Sequence, residues 1–374
     1  MRLEYLTGNH AIAEAAIIAG LKFYAGYPIT PSTEIFEYLA SKLPTKGGVV
    51  LQFEDEIASI NAVIGASWAG AKAMTATSGP GFSLMVEALS LAIMTETPLV
   101  LAYVMRAGPS TGIATKAGQY DVMQVRWAAH GNYELVVYAP WSVQECLDLT
   151  IKAFNVSEML RVPVILLSDA TLAHIWERVV IREPPEVSIV NRKKPKVPRD
   201  KYKPYEPEED LVPPMACFGE GYRVLVESLT HDERGYYKAT NEVQRRLVWR
   251  LVNKVLKNKH LISDSATYLV DDADYVLIAY GSTARSAYAL IRELRSKGIK
   301  VGLYRPKLLW PLDEEMLINS TIKAKKVFVV ENNVGVYVRE ISRVLRNKEV
   351  ISIPIIDIEV PTPDEIFEVM KEWI

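Results

Sequence analysis

The sequence predicts an α/β protein made of two doubly wound α/β domains, and three observations predict it. Short, nearly continuous apolar runs alternate with helical patterns over residues 1 to about 180. The same alternation restarts near residue 274. Between them lies a charged segment, residues 184–214, that carries eight prolines. Apolar strands separated by helices mark a parallel sheet covered on both faces. A proline-dense stretch cannot continue a helix or a sheet, because proline lacks the N–H that either ladder needs.

In the first half, "KFYAGYP", "GVVLQFE", "AMTATS", "PLVLAYV", "YELVVYA" and "VPVILLSD" read as strands, with helical patterns at 9–20, 31–42, 56–70, 81–95 and 142–160. Residues 184–214 read as a linker. Its basic cluster "NRKKPKVPRDKYK" (191–203) is interleaved with proline and followed by acids, so it is expected to be solvated. The next stretch, "GEGYRVLVESLTHDERG" (219–235), resists assignment. Val243, Leu247, Leu251 and Val255 then recur every four residues, with Val248 and Val252 beside them, and predict an amphipathic helix. In the second half "YVLIAYG", "KVGLYRP", "KVFVVEN" and "SIPIIDI" are strands, separated by helices at 283–297, 312–318 and 335–346 and closed by one at 363–373. The expected divisions are 1–183, 184–262 and 263–374.

Composition narrows the function. The 374 residues are 49% hydrophobic and 24% charged, enough for an ordinary core. A net charge of −2 gives no electrostatic case for nucleic acid or an anionic membrane. Two cysteines, Cys146 and Cys217, are too few to hold an iron–sulfur cluster or a zinc ion alone, and they argue for a reducing, cytoplasmic setting. No apolar run reaches membrane-spanning length, and the N-terminus lacks a basic region leading into an apolar one. The five histidines form no spaced pair with acids or cysteines, so structural or surface roles are expected for them.

Ligands of open parallel sheets sit where strand carboxyl ends meet helix amino ends, and four junctions stand out. In "GYPITPSTE" (26–34), Pro28 and Pro31 fix the turn. Ser32 or Thr33 can cap the next helix, with Pro31 near its first turn; that leaves Thr30 over, and capping alone and a ligand-facing Thr30 both fit the local sequence. In "LQFEDEIASINAVIGASWAGAKA" (51–73), Glu54, Asp55 and Glu56 open a helix rich in small residues. Carboxylates there are favoured by the helix dipole by ~0.3–1 kcal/mol, yet the small residues also suit close packing against another backbone. In "TATSGPGFSLMVEAL" (75–89), glycines let a backbone approach a ligand at a helix amino end, though "SGPG" is also an ordinary tight turn. The loop "MRAGPSTGIATKAGQYDVMQ" (105–124) sets Arg106, a lysine, hydroxyls and three glycines directly after a buried strand. A fork of guanidinium donors there suits the carboxylate of a small anion; a mobile surface loop is the other reading.

Taken together, "GYPITPSTE", "EDEIASINAVIGASWAGAKAMTATSGPGFSLM" and "RAGPSTGIATKAGQYD" resemble the α subunit of 2-oxoacid:ferredoxin oxidoreductases, most closely the 2-oxoglutarate type. The resemblance runs over essentially the whole chain. It implies that residues 1–183 are similar to the pyrimidine-binding domain of thiamine diphosphate enzymes, and 263–374 to the transketolase C-terminal domain. It implies that Glu56 hydrogen-bonds the aminopyrimidine ring, with Gly65 nine residues on as in the family. By the same resemblance Thr30, Arg106 and Thr115 bind the 2-oxoacid, and Ser78 and Gly79 face the cofactor. One departure is His10, where relatives usually carry an acid.

Equally, the family's thiamine diphosphate and Mg²⁺ signature, "GDG" followed by asparagines, does not occur; "ENN" at 331–333 has no such leader and is expected to end a strand. The resemblance therefore implies a β subunit that carries the diphosphate site, Mg²⁺ and an iron–sulfur cluster, with γ and ferredoxin-like δ subunits completing the assembly. The implied reaction is CoA-acylating oxidative decarboxylation of 2-oxoglutarate with ferredoxin as acceptor. The alternatives are pyruvate, a branched-chain 2-oxoacid or indolepyruvate as substrate, or a structural subunit that has lost catalysis. A lipoyl-dependent or transketolase-like enzyme fits the motifs less well.

Overall fold

A computed structural model describes all 374 residues. The first half runs β1 (Arg2–Thr7), α1 (Gly8–Ile18), β2 (Phe23–Gly26), α2 (Thr33–Lys42), β3 (Val49–Gln52), α3 (Glu56–Trp68), β4 (Ala73–Thr77), α4 (Pro80–Met94), β5 (Leu99–Met105), β6 (Val136–Tyr138), α5 (Val143–Leu160), β7 (Pro163–Asp169), α6 (Ala170–His174) and β8 (Trp176–Ile181). The second half runs α7 (Asn241–Lys257), α8 (Lys259–Ile262), β9 (Ser265–Tyr268), β10 (Tyr275–Ile278), α9 (Thr283–Ser296), β11 (Val301–Pro306), β12 (Leu308–Trp310), α10 (Glu314–Thr321), β13 (Lys326–Glu331), α11 (Val338–Val344), β14 (Glu349–Pro354) and α12 (Pro363–Met370).

Two main sheets result. The larger has the order β12-β6-β7-β5-β4-β2-β3 and is parallel from β6 to β3. Its strands alternate sides as a pleat requires: Leu101, Tyr103 and Met105 of β5 enter the core under α3 and α4, while Val100, Ala102 and Val104 enter the core under α1 and α5. The smaller sheet has the order β14-β13-β10-β11-β9, parallel except for β9. Asn332 and Asn333 follow directly on β13, so "ENN" ends a strand as expected.

Four short antiparallel strands escape the sequence pattern. β1 pairs with β8 outside both main sheets, β9 edges the smaller sheet, and β12 leaves the second half of the chain to pair with β6 in the larger one. None has a crossover helix to announce it.

The proline-rich segment has only one short 3₁₀ turn, at Arg199–Lys201. Most of its basic cluster is solvated as expected, with Lys194, Lys196, Arg199 and Lys201 exposed, but the segment is anchored at buried points. Arg192 is buried and pairs with Glu158 at 2.5 Å, while also donating to the carbonyls of Ser67 and Ala71. Tyr202, Tyr205, Val212 and Met215 are buried as well. The segment is a strap fastened across the amino ends of the parallel strands. α7 forms where the four-residue spacing puts it, with Leu247, Leu251 and Val255 buried. No helix is long and apolar enough to cross a membrane.

Candidate active site

The order β5-β4-β2-β3 lines up four junctions along one carboxyl edge of the larger sheet. After β3 the three acids separate by role. Glu54 is exposed. Asp55 caps α3, its Oδ1 accepting the Ala58 N–H at 2.8 Å. Glu56, the first helical residue, is only 4% exposed.

The Glu56 carboxyl lies against the first turn of α4. A Cβ on Gly81 would stand 2.4 Å from Glu56 Oε1 and 2.3 Å from Thr77 Oγ1, so any side chain there would displace the Glu56 carboxyl and the Thr77 hydroxyl. Burial raises the Glu56 carboxyl above its ordinary value; its own backbone N–H pulls it down and the charge of Asp55 pushes it up. Beside it, Ser78 and Thr77 are fully buried and their hydroxyls have no partner. A buried hydroxyl left unpaired costs about 1–3 kcal/mol. Two at one junction mark a place that a ligand's polar atoms would complete.

Arg106 closes the group from β5. It is 5% exposed, with Nη1 donating to the Thr30 carbonyl at 2.6 Å and Nη2 to the Thr111 carbonyl at 2.9 Å. The expected open fork is therefore spent on two backbone carbonyls. Its Nε is buried without a partner and lies 3.2 Å from where a Cβ on Gly79 would stand. Arg106 thus ties the first turn to the fourth loop across the end of β4.

The first turn departs from the capping expectation. Ser32 occupies the cap position of α2, but its hydroxyl donates back to the Ile29 carbonyl at 2.8 Å, and no side chain caps the helix. Pro31 falls just before the cap position, where Asn9 Nδ2 holds its carbonyl at 2.7 Å and also donates to Glu34. Thr30 is exposed, its position set through its carbonyl.

Thr115 is exposed on the fourth loop, and the Arg106 side chain donates to Thr30 and Thr111 rather than to it. That loop folds back on itself: Ala107 N–H donates to Lys116 O and Ile113 N–H to Ala107 O, both at 2.9 Å. Gly112, at φ +58°, makes the turn, since a Cβ there would strike Ala107 O at 1.7 Å. The structure therefore joins Thr30, Gly79 and Arg106 in one cluster and Glu56, Thr77 and Gly81 in an adjoining one, with Ser78 between them in sequence.

Two further residues were not singled out from sequence. Tyr103 stacks on Phe82 at 4.7 Å between ring centroids. Asp121 lies half-buried at the end of the loop, its carboxyl pushed up to about 6 by burial, while the Tyr103 hydroxyl and Arg106 pull it back. The acid closing a glycine-rich loop was a signal available for Asp121. Tyr103 reads only as a core strand residue.

Known proteins bear on this arrangement. Residues 14–248 match the family model described as pyruvate flavodoxin/ferredoxin oxidoreductase, thiamine diphosphate-binding, and residues 273–365 match pyruvate:ferredoxin oxidoreductase core domain II. The chain is 49% identical over 368 residues to the 2-oxoglutarate synthase subunit KorA of Methanocaldococcus jannaschii, covering 98% of each. It superposes with a TM-score of 0.93, at 35% identity, on a 2-oxoglutarate:ferredoxin oxidoreductase from Magnetococcus marinus solved with 2-oxoglutarate, coenzyme A and succinyl-CoA bound, covering 99% of this chain and 65% of that one. A split-gene transketolase shares the fold alone, at a TM-score of 0.54 and 13% identity. With a family model spanning most of its length and a relative at nearly half identity end to end, the chain belongs to the 2-oxoacid:ferredoxin oxidoreductases, as an α subunit.

Proposed function

We propose that this chain is the α subunit of a thiamine-diphosphate-dependent enzyme that converts 2-oxoglutarate and CoA to succinyl-CoA and CO₂ while reducing ferredoxin. The observation that carries the reading is the Glu56 carboxyl, buried with a raised affinity for its proton beside two unpartnered hydroxyls. These residues fit the pyrimidine half of the cofactor. Glu56 can meet a ring nitrogen, Thr77 and Ser78 offer free hydroxyls, and Gly79 and Gly81 keep side chains out of the space. When bound, thiamine diphosphate supplies the nucleophilic carbon that attacks the 2-oxo carbon and holds the electron pair left when CO₂ departs.

The chain's own residues have separable tasks in this reading. Glu56 holds a proton at a carboxylate oxygen and shares it with the ring, which a raised pKa favours. Arg106 fixes the Thr30 turn, and its Nε, with the Thr30 and Thr115 hydroxyls, binds the carboxylate of the oxoacid. Ser78 and Gly79 line the cofactor's side of the site.

The diphosphate end, Mg²⁺ and an iron–sulfur cluster are assigned to a β subunit, with γ and δ subunits beyond it. No group of three or more His, Cys, Asp or Glu side chains in this chain could hold a metal. The outer face of α3 supports a partner there: Ile57, Asn61 and Gly65 are exposed one turn apart, and open space lies over Gly65. Two free cysteines support a cytoplasmic location.

In the assembled complex, Glu56→Gln is expected to lower the rate of decarboxylation by ~10²–10⁴-fold while the subunits still copurify. Unchanged turnover in that variant would remove the central claim. Comparing kcat/KM across 2-oxoglutarate, pyruvate, branched-chain oxoacids and indolepyruvate, by viologen reduction, tests the substrate. A preference for any of the last three would replace 2-oxoglutarate.

A further inference from the structure

The substrate loop does not stand on its own sheet alone. It leaves β5 at Arg106, and its returning arm is fastened to the stretch that follows β14 of the smaller sheet. Ala117 N–H donates to the Ile358 carbonyl at 3.1 Å, and Lys116 pairs with Glu359. Two residues on is Gln119, only 1% exposed.

All the polar groups of Gln119 are engaged, and every partner belongs to the second half of the chain. Nε2 donates to the Tyr280 carbonyl at 2.8 Å. Oε1 accepts from Thr283 Oγ1 at 2.9 Å and from the Asn332 N–H at 3.1 Å. Its backbone N–H donates to Asn332 O at 3.0 Å, and its carbonyl accepts from Asn333 Nδ2 at 2.7 Å. Those partners are held in turn: Asn333 Nδ2 also donates to Glu331, and Asn332 Nδ2 to the Glu359 carbonyl at 2.9 Å. A Cβ on Gly281 would lie 2.8 Å from Gln119 Nε2, so the smaller sheet's first strand-to-helix turn is bare where Gln119 enters.

We propose that Gln119 is a positioning residue for the oxoacid site: it ties the substrate loop to the β10–α9 turn and the end of β13, so that the C-terminal sheet sets where Arg106 and Thr115 stand. The path is short. Gln119 fixes the loop's returning arm, the loop presents the Thr111 carbonyl to Arg106 Nη2, and Arg106 Nη1 holds Thr30. The proposal rests on the reading that this loop binds the 2-oxoacid. "ENN", without a role in a metal signature here, gains one as the socket for Gln119.

The test uses the assembled complex with Gln119→Met, which keeps side-chain length and removes three hydrogen bonds, and with Thr283→Val, which removes one from the far side. Gln119→Met should raise KM for the oxoacid about tenfold, since small displacements of positioning groups are costly, and leave KM for CoA within about twofold. Hydrogen exchange of the complex should show amides 107–118 less protected and those of β5 and β10 unchanged. Thr283→Val should move the same readouts less, and the double variant should be non-additive. Unaltered loop protection in Gln119→Met would overturn the proposal. So would a loosened loop with an unchanged oxoacid KM, or a uniform fall in every kinetic constant together with the melting temperature. If another oxoacid proves to be the substrate, the 2-oxoglutarate assignment fails, while Gln119 is still judged by the exchange pattern and that oxoacid's KM.

Discussion

Asp121 shares a corner with Tyr103 and Arg106, and burial pushes its carboxyl up to about 6. An acid whose folded pKa is raised favours the fold in its protonated form. Its contribution is fully present below the unfolded value of about 3.9 and is lost as pH rises through about 6. Asp121→Asn, which mimics the protonated acid, should therefore melt level with the parent near pH about 4 and increasingly above it by pH about 7. A melting difference that stays flat over that range would show that Asp121 is not desolvated as described. Arg106→Lys should cost more than its retained charge implies, because one ammonium cannot reach Thr30 O and Thr111 O in a plane as a guanidinium does. A fall of ~10-fold or more in kcat/KM for the oxoacid is expected, and parental kinetics would contradict it. At this scale the sequence carried residue types but not their allocation. Three consecutive acids look alike in a string, and only the fold makes Asp55 the cap and Glu56 the buried carboxyl. Nor could spacing reveal that Arg106 spends its fork on carbonyls, since Thr30 lies seventy-six residues away.

Among the elements, α7 shows what hydrophobic periodicity finds and what it hides. The Val243, Leu247, Leu251, Val255 pattern locates the helix, yet Arg250 and Lys254 are buried on the same face. Charges inside an apolar stripe are tolerable only with a counter-charge, and theirs is Glu96, remote in sequence. Arg250 forks onto it at 2.6 and 2.7 Å and Lys254 reaches it at 2.7 Å. Burial alone would raise the Glu96 carboxyl, but Arg250 and Lys254 hold it well below the usual carboxylate range. Arg161, itself fully buried, donates to the Glu96 carbonyl and to those of Pro204 and Pro213, so the same cluster fastens the proline-rich strap. The density of proline and lysine describes a chain that cannot form ladders and whose lysines stay in water, but it does not show where such a chain is anchored. Arg250→Met leaves Glu96 to Lys254 and should destabilise the chain by about 3 kcal/mol, the low end for a broken buried pair. Urea unfolding measures it, and a midpoint equal to the parent's would contradict a buried ion cluster here. Because Glu96 is depressed, the cluster's contribution is present above the unfolded glutamate value and lost as pH falls through the folded one.

Across the whole molecule, two α/β sheets were legible because alternating apolar strands and helices are a long-range signal repeated many times. Their interlocking was not, because it is built from a three-residue strand and from side-chain contacts such as those of Gln119 and the Arg305–Glu145 pair. β12, Leu308 to Trp310, crosses from the C-terminal half to pair with β6, and Trp310 Nε1 donates to the Val122 carbonyl at 3.0 Å. Around it the core is continuous: one buried cluster contains Phe82 and Leu89 of α4, Val122 and Val125 of the loop region, Leu309 and Trp310 of β12, and Tyr337 at the start of the smaller sheet's α11 with Ile341 within it. A shared core and a swapped edge strand couple the two halves more tightly than a docking surface between independent domains would. The full chain should therefore unfold in a single calorimetric transition, with matching calorimetric and van't Hoff enthalpies. Residues 263–374 expressed alone would expose Leu308, Leu309 and Trp310, all buried in the intact chain, and would leave Asn332 and Asn333 without Gln119. That fragment should bind a hydrophobic dye and melt without cooperativity. Two resolved transitions in the full chain, or a sharp cooperative melt of the fragment, would mean that the C-terminal sheet is a separate unit, and the loop it anchors would then answer to a body free to move.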